Sequence, residues 1–311
     1  MNSLRESVSD YLELRRSLGF RLKKDERLLR DFADFMQRRH ASHITAKLAV
    51  KWARQPASTD ANYLAGRLRA VRSFARHRIL TDARTEVPPT DLLPRRQSSF
   101  QPHIFSQEEI TRLLAASLQR RRGAKPISRW SRYAIFGLLS VTGMRVGEAL
   151  NLDLEDVDLE EGVMTIRNTK FGKSRLVPVH PTTRAALNRY LEQRNAFLAG
   201  RIVRPFFISS LARRITHSTL NRSFRRLLRK LGLGGIPDAS GPRLHDMRHS
   251  MAVEVLRRCY EAGADPERRL PALSTYLGHS HLNYTYWYLH QNPSLMKQAV
   301  TRLEHYWEAS A

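Results

Sequence analysis

The chain has 311 residues, more than one ordinary core organises, so two domains are expected. Its 41% hydrophobic content is that of a folded protein and excludes wholesale disorder. A net charge of +24 points to a polyanionic partner, nucleic acid first, and it is no tail effect: residues 1–100 hold 21 basic and 11 acidic side chains, residues 101–311 hold 32 and 18.

Residues 1–80 read as helices. Val8, Leu12 and Leu18 give a weak apolar face; Leu28, Phe32, Phe35 and Met36 give a stronger one at helical spacing. A third helix starts at Thr45, with Leu48 and Trp52 on one side. A fourth covers 61–79 and buries Leu64, Leu68, Val71 and Phe74. Its other faces carry Arg67, Arg69, Arg72, Arg76 and Arg78. A charge run is commonly just a solvated face, but acidic partners are few here. Phosphate contact is therefore expected for Arg67, Arg69, Arg72 and Arg76.

Periodicity then breaks over Val87-Pro88-Pro89 and Pro94-Arg95-Arg96. These breaks end a helical domain at 1–93 and place a linker at 94–105, with Arg95 and Arg96 as candidates to lie along a DNA backbone. Ser106-Gln107-Glu108-Glu109 is a capping box before Ile110, Leu113 and Leu114, and opens a second domain at 106–311. Within it, 130–141 reads as a buried helix ending at Thr142-Gly143, and Arg145 opens a short helix. Residues 163–167 and 176–179 are β-prone and joined by a Gly172-containing hairpin connection; 205–209 is a further strand candidate. Helices resume at about 182–196, 218–231, 245–262, 270–277 and 294–308. The fold class is mainly α with a small antiparallel β-sheet.

The single cysteine, Cys259, leaves no intramolecular disulfide and no cysteine zinc site, and its helical context suits packing. The longest apolar stretch, 134–141, is too short to span a bilayer, and the first residues lack a signal-peptide run. A cytoplasmic protein with no membrane partner is expected.

Chemistry-bearing residues are scattered. Arg145 follows Thr142-Gly143-Met144; Lys170 lies in Thr169-Lys170-Phe171-Gly172-Lys173; His245 and Arg248 lie in Leu244-His245-Asp246-Met247-Arg248-His249; His279 follows Leu277-Gly278. Metal-free phosphodiester cleavage needs an in-line nucleophile, fixed cations on the non-bridging oxygens and an acid for the leaving oxygen. Two arginines, a lysine and two histidines can supply the cations and the acid, and a tyrosine can attack. Each residue has a plainer reading. Arg145 and Glu148 could be a helical ion pair, and a His-x-x-Arg pair arises easily in an arginine-rich chain. His249 is assigned to a different face of its helix. Tyr284, Tyr286 and Tyr288 are not distinguishable by chemistry alone. Asp153, Asp156 and Asp158 read as solvated turn residues, and His279 has no carboxylate or cysteine at ligand spacing, so no metal and no cofactor are expected.

In order and content, these segments resemble the tyrosine recombinase (phage integrase) family, which includes the Xer-type recombinases. Thr142–Glu148 resembles its first arginine box, Thr169–Pro178 its lysine hairpin, Leu244–His249 its His-x-x-Arg box. Leu277–Ser280, with a tyrosine nine residues after His279, resembles its last box. The resemblance covers about 105–290; residues 1–95 resemble the core-binding domain in type only. It implies that Arg145 and Arg248 bind the scissile phosphate and that Lys170 is the general acid, with Lys173 as alternative. His245 assists proton transfer, His279 donates to a phosphate oxygen, Glu148 supports the cluster, and Tyr288 is the nucleophile forming a 3′-phosphotyrosyl link. Lys173 and Arg175 join the DNA-binding candidates. Implied partners are double-stranded DNA with short inverted-repeat sites and a homotetramer or a mixed complex with a second recombinase, the tail at about 290–311 reaching a neighbouring protomer. The alternatives are a type IB topoisomerase-like nicking-closing enzyme, which would relax plasmids lacking any site, and a non-catalytic DNA-binding protein, which would be indifferent to Tyr288→Phe.

Overall fold

The computed structural model describes residues 3–20, 22–57, 60–94, 102–120, 122–123, 125–167, 174–234, 241–279, 281–290, 295–297, 300–301 and 304, with backbone alone at 284, 287, 289 and 290. It divides into two compact units, 1–100 and 101–311.

Unit one is helical: α1 (Leu4–Ser17), α2 (Lys23–Arg38), α3 (Ala46–Ala53) and α4 (Ala61–Arg78). Ser3 and Glu6 form a capping box at α1, and Thr45 and Asp60 cap α3 and α4 with side-chain oxygens. Leu29, Phe32, Trp52, Val71 and Phe74 are fully buried between them. Leu18, expected on the apolar face of the first helix, lies beyond its end and is 61% exposed.

Arginines of α4 depart most from expectation. Arg67 is 6% exposed, not free for phosphate: its guanidinium stacks 3.9 Å over the Trp52 ring and donates to Asp31 and to the Trp52 carbonyl. Arg72 donates through Nε to Pro88 O and through Nη2 to Pro89 O, tying down the proline segment whose carbonyls have no helix to join. Arg78 bonds Ser7 and pairs with Asp82. Arg69 and Arg76 are exposed.

Unit two opens with α5 (Gln107–Leu118), whose capping box is Ser106 with Glu109, then α6 (Ile127–Thr142) and the short α7 (Val146–Asn151). A three-stranded antiparallel sheet follows in the order β1 (Val157–Asp158), β2 (Val163–Ile166), β3 (Arg175–Pro178), with Ile166 opposite Arg175 and Val163 opposite Pro178. The rest is helical: α8 (Pro181–Leu198), α9 (His217–Lys230), α10 (Asp246–Glu261), α11 (Pro266–Leu277) and α12 (Asn283–His290). The main core gathers Ile135, Phe136, Met164, Val177, Tyr190, Phe206 and Phe224.

Residues 205–209 form no ladder; only isolated bridges join Pro205 to Asp153 and Ile208 to Arg214. Side chains satisfy this backbone instead. Arg194 donates to Val203 O and Pro205 O, Tyr190 to Phe206 O, and Ser131 to Ile208 O. Asp153 and Asp156 are not solvated either: they are 9% and 7% exposed and paired with Arg204 and Arg214, and with Arg167.

The beginning of the tail packs on its own chain. Leu295 is buried in a cluster with Ala252, Leu256, Leu270 and Tyr288, while Met296 and Val300 are exposed.

Candidate active site

α6 ends at Gly143, which takes φ +59° as its left-handed cap. A Cβ there would sit 3.0 Å from Leu277 Cδ2 and 3.1 Å from Met251 Sδ, so glycine suits both the turn and the close packing. The reversal delivers Arg145 to the amino end of α7. Its backbone N–H donates to Glu148 Oε2 (2.9 Å), its Nη1 to Glu148 Oε1 (2.8 Å) and its Nη2 to Gly278 O (2.7 Å). The ion pair and the orienting carboxylate are thus the same contact.

Arg248 lies on the first turn of α10 and is 2% exposed. Nη1 donates to Gly143 O (2.8 Å) and Nη2 to Leu277 O (2.7 Å). Burial, with the charge of Arg145 next, lowers its pKa to about 10. These bonds use two of the five donors of each guanidinium, and Arg248 gives a further one to Tyr288.

The left-handed cap Gly278 (φ +67°) ends α11 and sets His279, whose Nδ1 lies 2.8 Å from Oγ1 of the fully buried Thr285. Burial and the flanking Arg248 and Arg145 push His279 down to about 4, which keeps it neutral at pH 7. Tyr288, on α12, is 2% exposed; its ring stacks 6.2 Å from that of His279 at 25°. Burial raises the phenol pKa, against the charge of Arg248 and a hydrogen bond with it. Tyr286 is 37% exposed, so of these two tyrosines only Tyr288 reaches the arginines.

His245 precedes α10. Burial and then the charges of Arg248 and Arg243 lower its pKa, though the residue as a whole is exposed. His249, assigned from sequence to another face, is brought into the site. Its ring is 4.9 Å from that of His245 and 5.5 Å from that of Tyr288. Burial, then His245, Arg243, Arg248 and His279, drive it to about 3. The i, i+4 step from His245 carried the signal for it.

Arg175, expected on DNA, faces inward. Its Nη1 and Nη2 donate to the two Glu148 oxygens (3.1 and 2.8 Å) and its Nε to Tyr276 O (3.0 Å). Burial alone would raise the Glu148 carboxyl, but the bonds from Arg175 and Arg145 outweigh it and hold the group below the usual carboxylate range. Lys170, Lys173, Arg95 and Arg96 lie outside the described residues. Among the described residues no group of three or more His, Cys, Asp or Glu side chains could hold a metal ion, and no helix is long and apolar enough to cross a membrane.

Residues 103–294 match the phage integrase family. The chain belongs to the phage integrase family. Along 311 residues it is 49% identical to the putative integrase/recombinase y4rB of Sinorhizobium fredii, covering 99% of each chain. A second relative from that organism, putative integrase/recombinase y4rE, is 34% identical over 96% of this chain and 95% of its own. The tyrosine recombinase XerC of Chlamydia caviae is 29% identical over 75% of this chain and 68% of its own. Among solved structures, the XerA recombinase has a TM-score of 0.52 at 27% identity and covers 96% of this chain and 98% of its own. The Tn1549 transposon integrase in complex with transposon right end DNA reaches 0.66 at 18% identity, covering 98% and 99%, a likeness of fold. As a family member the chain is a tyrosine-type DNA strand transferase of site-specific recombination.

Proposed function

We propose that Tyr288 attacks a DNA phosphodiester, forming a 3′-phosphotyrosyl bond and releasing a 5′-hydroxyl, and that a 5′-hydroxyl from a partner strand reverses the step. The observation that carries this is the convergence of Arg145, Arg248 and His279 around the buried Tyr288 phenol, from four separate segments of the chain. Arg145 and Arg248 keep donors for the non-bridging oxygens, where negative charge grows in the transition state. The cation of Arg248 beside the phenol favours its ionised form as the proton leaves. Neutral His279 donates to a phosphate oxygen, and His245 assists the proton transfer. Lys170 protonates the leaving 5′-oxygen, with Lys173 as its alternative.

DNA-bound fold relatives support a reading of substrate and assembly. One, XerH, is bound to a palindromic difH substrate, and a lambda integrase tetramer is bound to a Holliday junction. For this chain we infer short inverted-repeat DNA sites and four protomers, or a mixed complex with a second recombinase. Residues 1–93 supply the second half of the grip on DNA, with Arg69 and Arg76 exposed for phosphate.

The test is a nicked suicide duplex carrying an inverted repeat selected from a duplex library by binding to this protein. Wild type is expected to accumulate a covalent protein–DNA adduct, and Tyr288→Phe to bind the duplex without forming it. An adduct persisting in Tyr288→Phe would assign the attack to another residue.

A further inference from the structure

Three consecutive carbonyls at the carboxyl end of α11 each accept from a different arginine. Tyr276 O takes Arg175 Nε at 3.0 Å, Leu277 O takes Arg248 Nη2 at 2.7 Å, and Gly278 O takes Arg145 Nη2 at 2.7 Å. A helix end presents unpaired carbonyls and partial negative charge, so it suits guanidinium groups. Two of these arginines are the proposed phosphate clamp. The third comes from the sheet and turns the rest of its fork onto both oxygens of Glu148.

Glu148 in turn holds Arg145 by its backbone N–H and by Nη1. A chain of contacts therefore runs from β3 through Arg175 and Glu148 to Arg145. A two-pronged guanidinium–carboxylate pair has essentially one geometry, so it fixes where the carboxylate, and through it Arg145, can point. The Arg175 side chain is only 14% exposed, against 32% for Arg145. Arg175 is also the first residue of β3, opposite Ile166 on β2. Gly278 completes the fit: a Cβ there would lie 3.1 Å from Arg175 Nη1 and 3.6 Å from Arg145 Nη1.

We propose that Arg175 is a positioning residue of the recombination reaction, aligning Arg145 through Glu148 and tying the start of β3 to the end of α11, and that it does not contact DNA. The proposal rests on the reading of Arg145 as a ligand of the scissile phosphate. Charged groups facing Glu148 are Arg145 before α7 and Arg175 on β3 by contact, and Arg248 on α10 at longer range.

The experiment compares full-length wild type, Arg175→Lys and Arg175→Ala. It measures duplex affinity against salt, single-turnover adduct formation at saturating DNA across pH, and titration of the Glu148 carboxyl in the DNA-free protein. Affinity and its salt slope are expected to stay at wild-type values. The adduct rate should fall on the order of 10²-fold in Arg175→Ala, the scale of a misplaced reacting group, and less in Arg175→Lys. The acid limb of the rate profile should move to higher pH, because Glu148 loses a donor that stabilises its charge. A salt slope smaller by about 0.9, the share of one phosphate contact, with the rate intact would make Arg175 a DNA ligand and overturn the proposal. A slower rate with an unmoved acid limb and an unmoved Glu148 titration would overturn it too, leaving only a packing role. If wild type forms no adduct, the recombinase reading fails, while the Glu148 titration still decides whether Arg175 controls that carboxyl.

Discussion

His279 and His249 are the residues on which pH acts most directly. Held at about 4 and about 3, both are neutral in the folded chain at pH 7, whereas an unfolded chain protonates them near 6.5. Below that value the unfolded state binds more protons, so folding stability falls as pH drops from about 6.5 toward 4. A melting temperature that holds or rises between pH 7 and pH 5 would contradict this. If His279 meets the scissile phosphate as proposed, an oxyanion beside it would oppose the burial and the Arg248 and Arg145 charges that depress it. NMR of the imidazole is expected to show His279 titrating higher in the complex than in the free protein, and a value unmoved from about 4 would argue against phosphate contact. The resemblance of the ordered segments to the family's boxes points to Arg145, His245, Arg248, His279 and Tyr288, and the fold brings these residues near one another. His249 is not legible in this way, because the i, i+3 spacing of His245 and Arg248 assigns it to a different face of the helix. Viewed from His245, the same i, i+4 geometry places the two rings side by side.

Most helices were legible because amphipathic spacing and caps agree, as at Ser106 and Thr45. What stayed hidden were elements whose backbone is satisfied by side chains from afar. Residues 205–209 look like a strand by composition, yet Arg194, Tyr190 and Ser131 take the bonds a neighbouring strand would have taken. Arg67 and Arg175 look like surface cations, and only the tertiary fold supplies the Trp52 face and the Glu148 carboxylate that bury them. The α11 cap gives a test at this scale. Gly278 and Gly263 share φ +67°, but a Cβ at Gly263 meets nothing within 4 Å, while one at Gly278 meets Arg175. Alanine at either position carries a left-handed backbone cost of roughly 1–2 kcal/mol. Gly263→Ala is therefore expected to lower the melting temperature and keep adduct formation at saturating DNA. Gly278→Ala should lower both, the rate loss exceeding what unfolding explains. Equal rates in the two variants would mean that the approach of the arginines to residue 278 does not matter.

Each unit of the molecule carries its own buried core, Phe32, Trp52 and Phe74 in the first and Phe136, Tyr190 and Phe224 in the second. Every residue placed in the catalytic cluster lies in the second, which contains Phe105, whose N–H donates to Ser250 on the first turns of α10. A fragment of residues 102–311 is therefore expected to unfold cooperatively by itself, since among the described residues the buried members of its cores all lie after residue 100. The charge is divided as well: 21 basic and 11 acidic side chains before residue 101, 32 and 18 after. If both units meet the phosphate backbone, removing the first leaves the chemistry and takes away part of the counterion release. The fragment should bind duplex more weakly at every salt concentration and with a shallower dependence of affinity on salt. Supplied at a concentration that saturates the DNA, it should still form the Tyr288 adduct on a nicked substrate. Weaker binding with an unchanged salt slope would assign residues 1–93 a role other than phosphate contact. A fragment that melts without a cooperative transition would show that the second core needs the first.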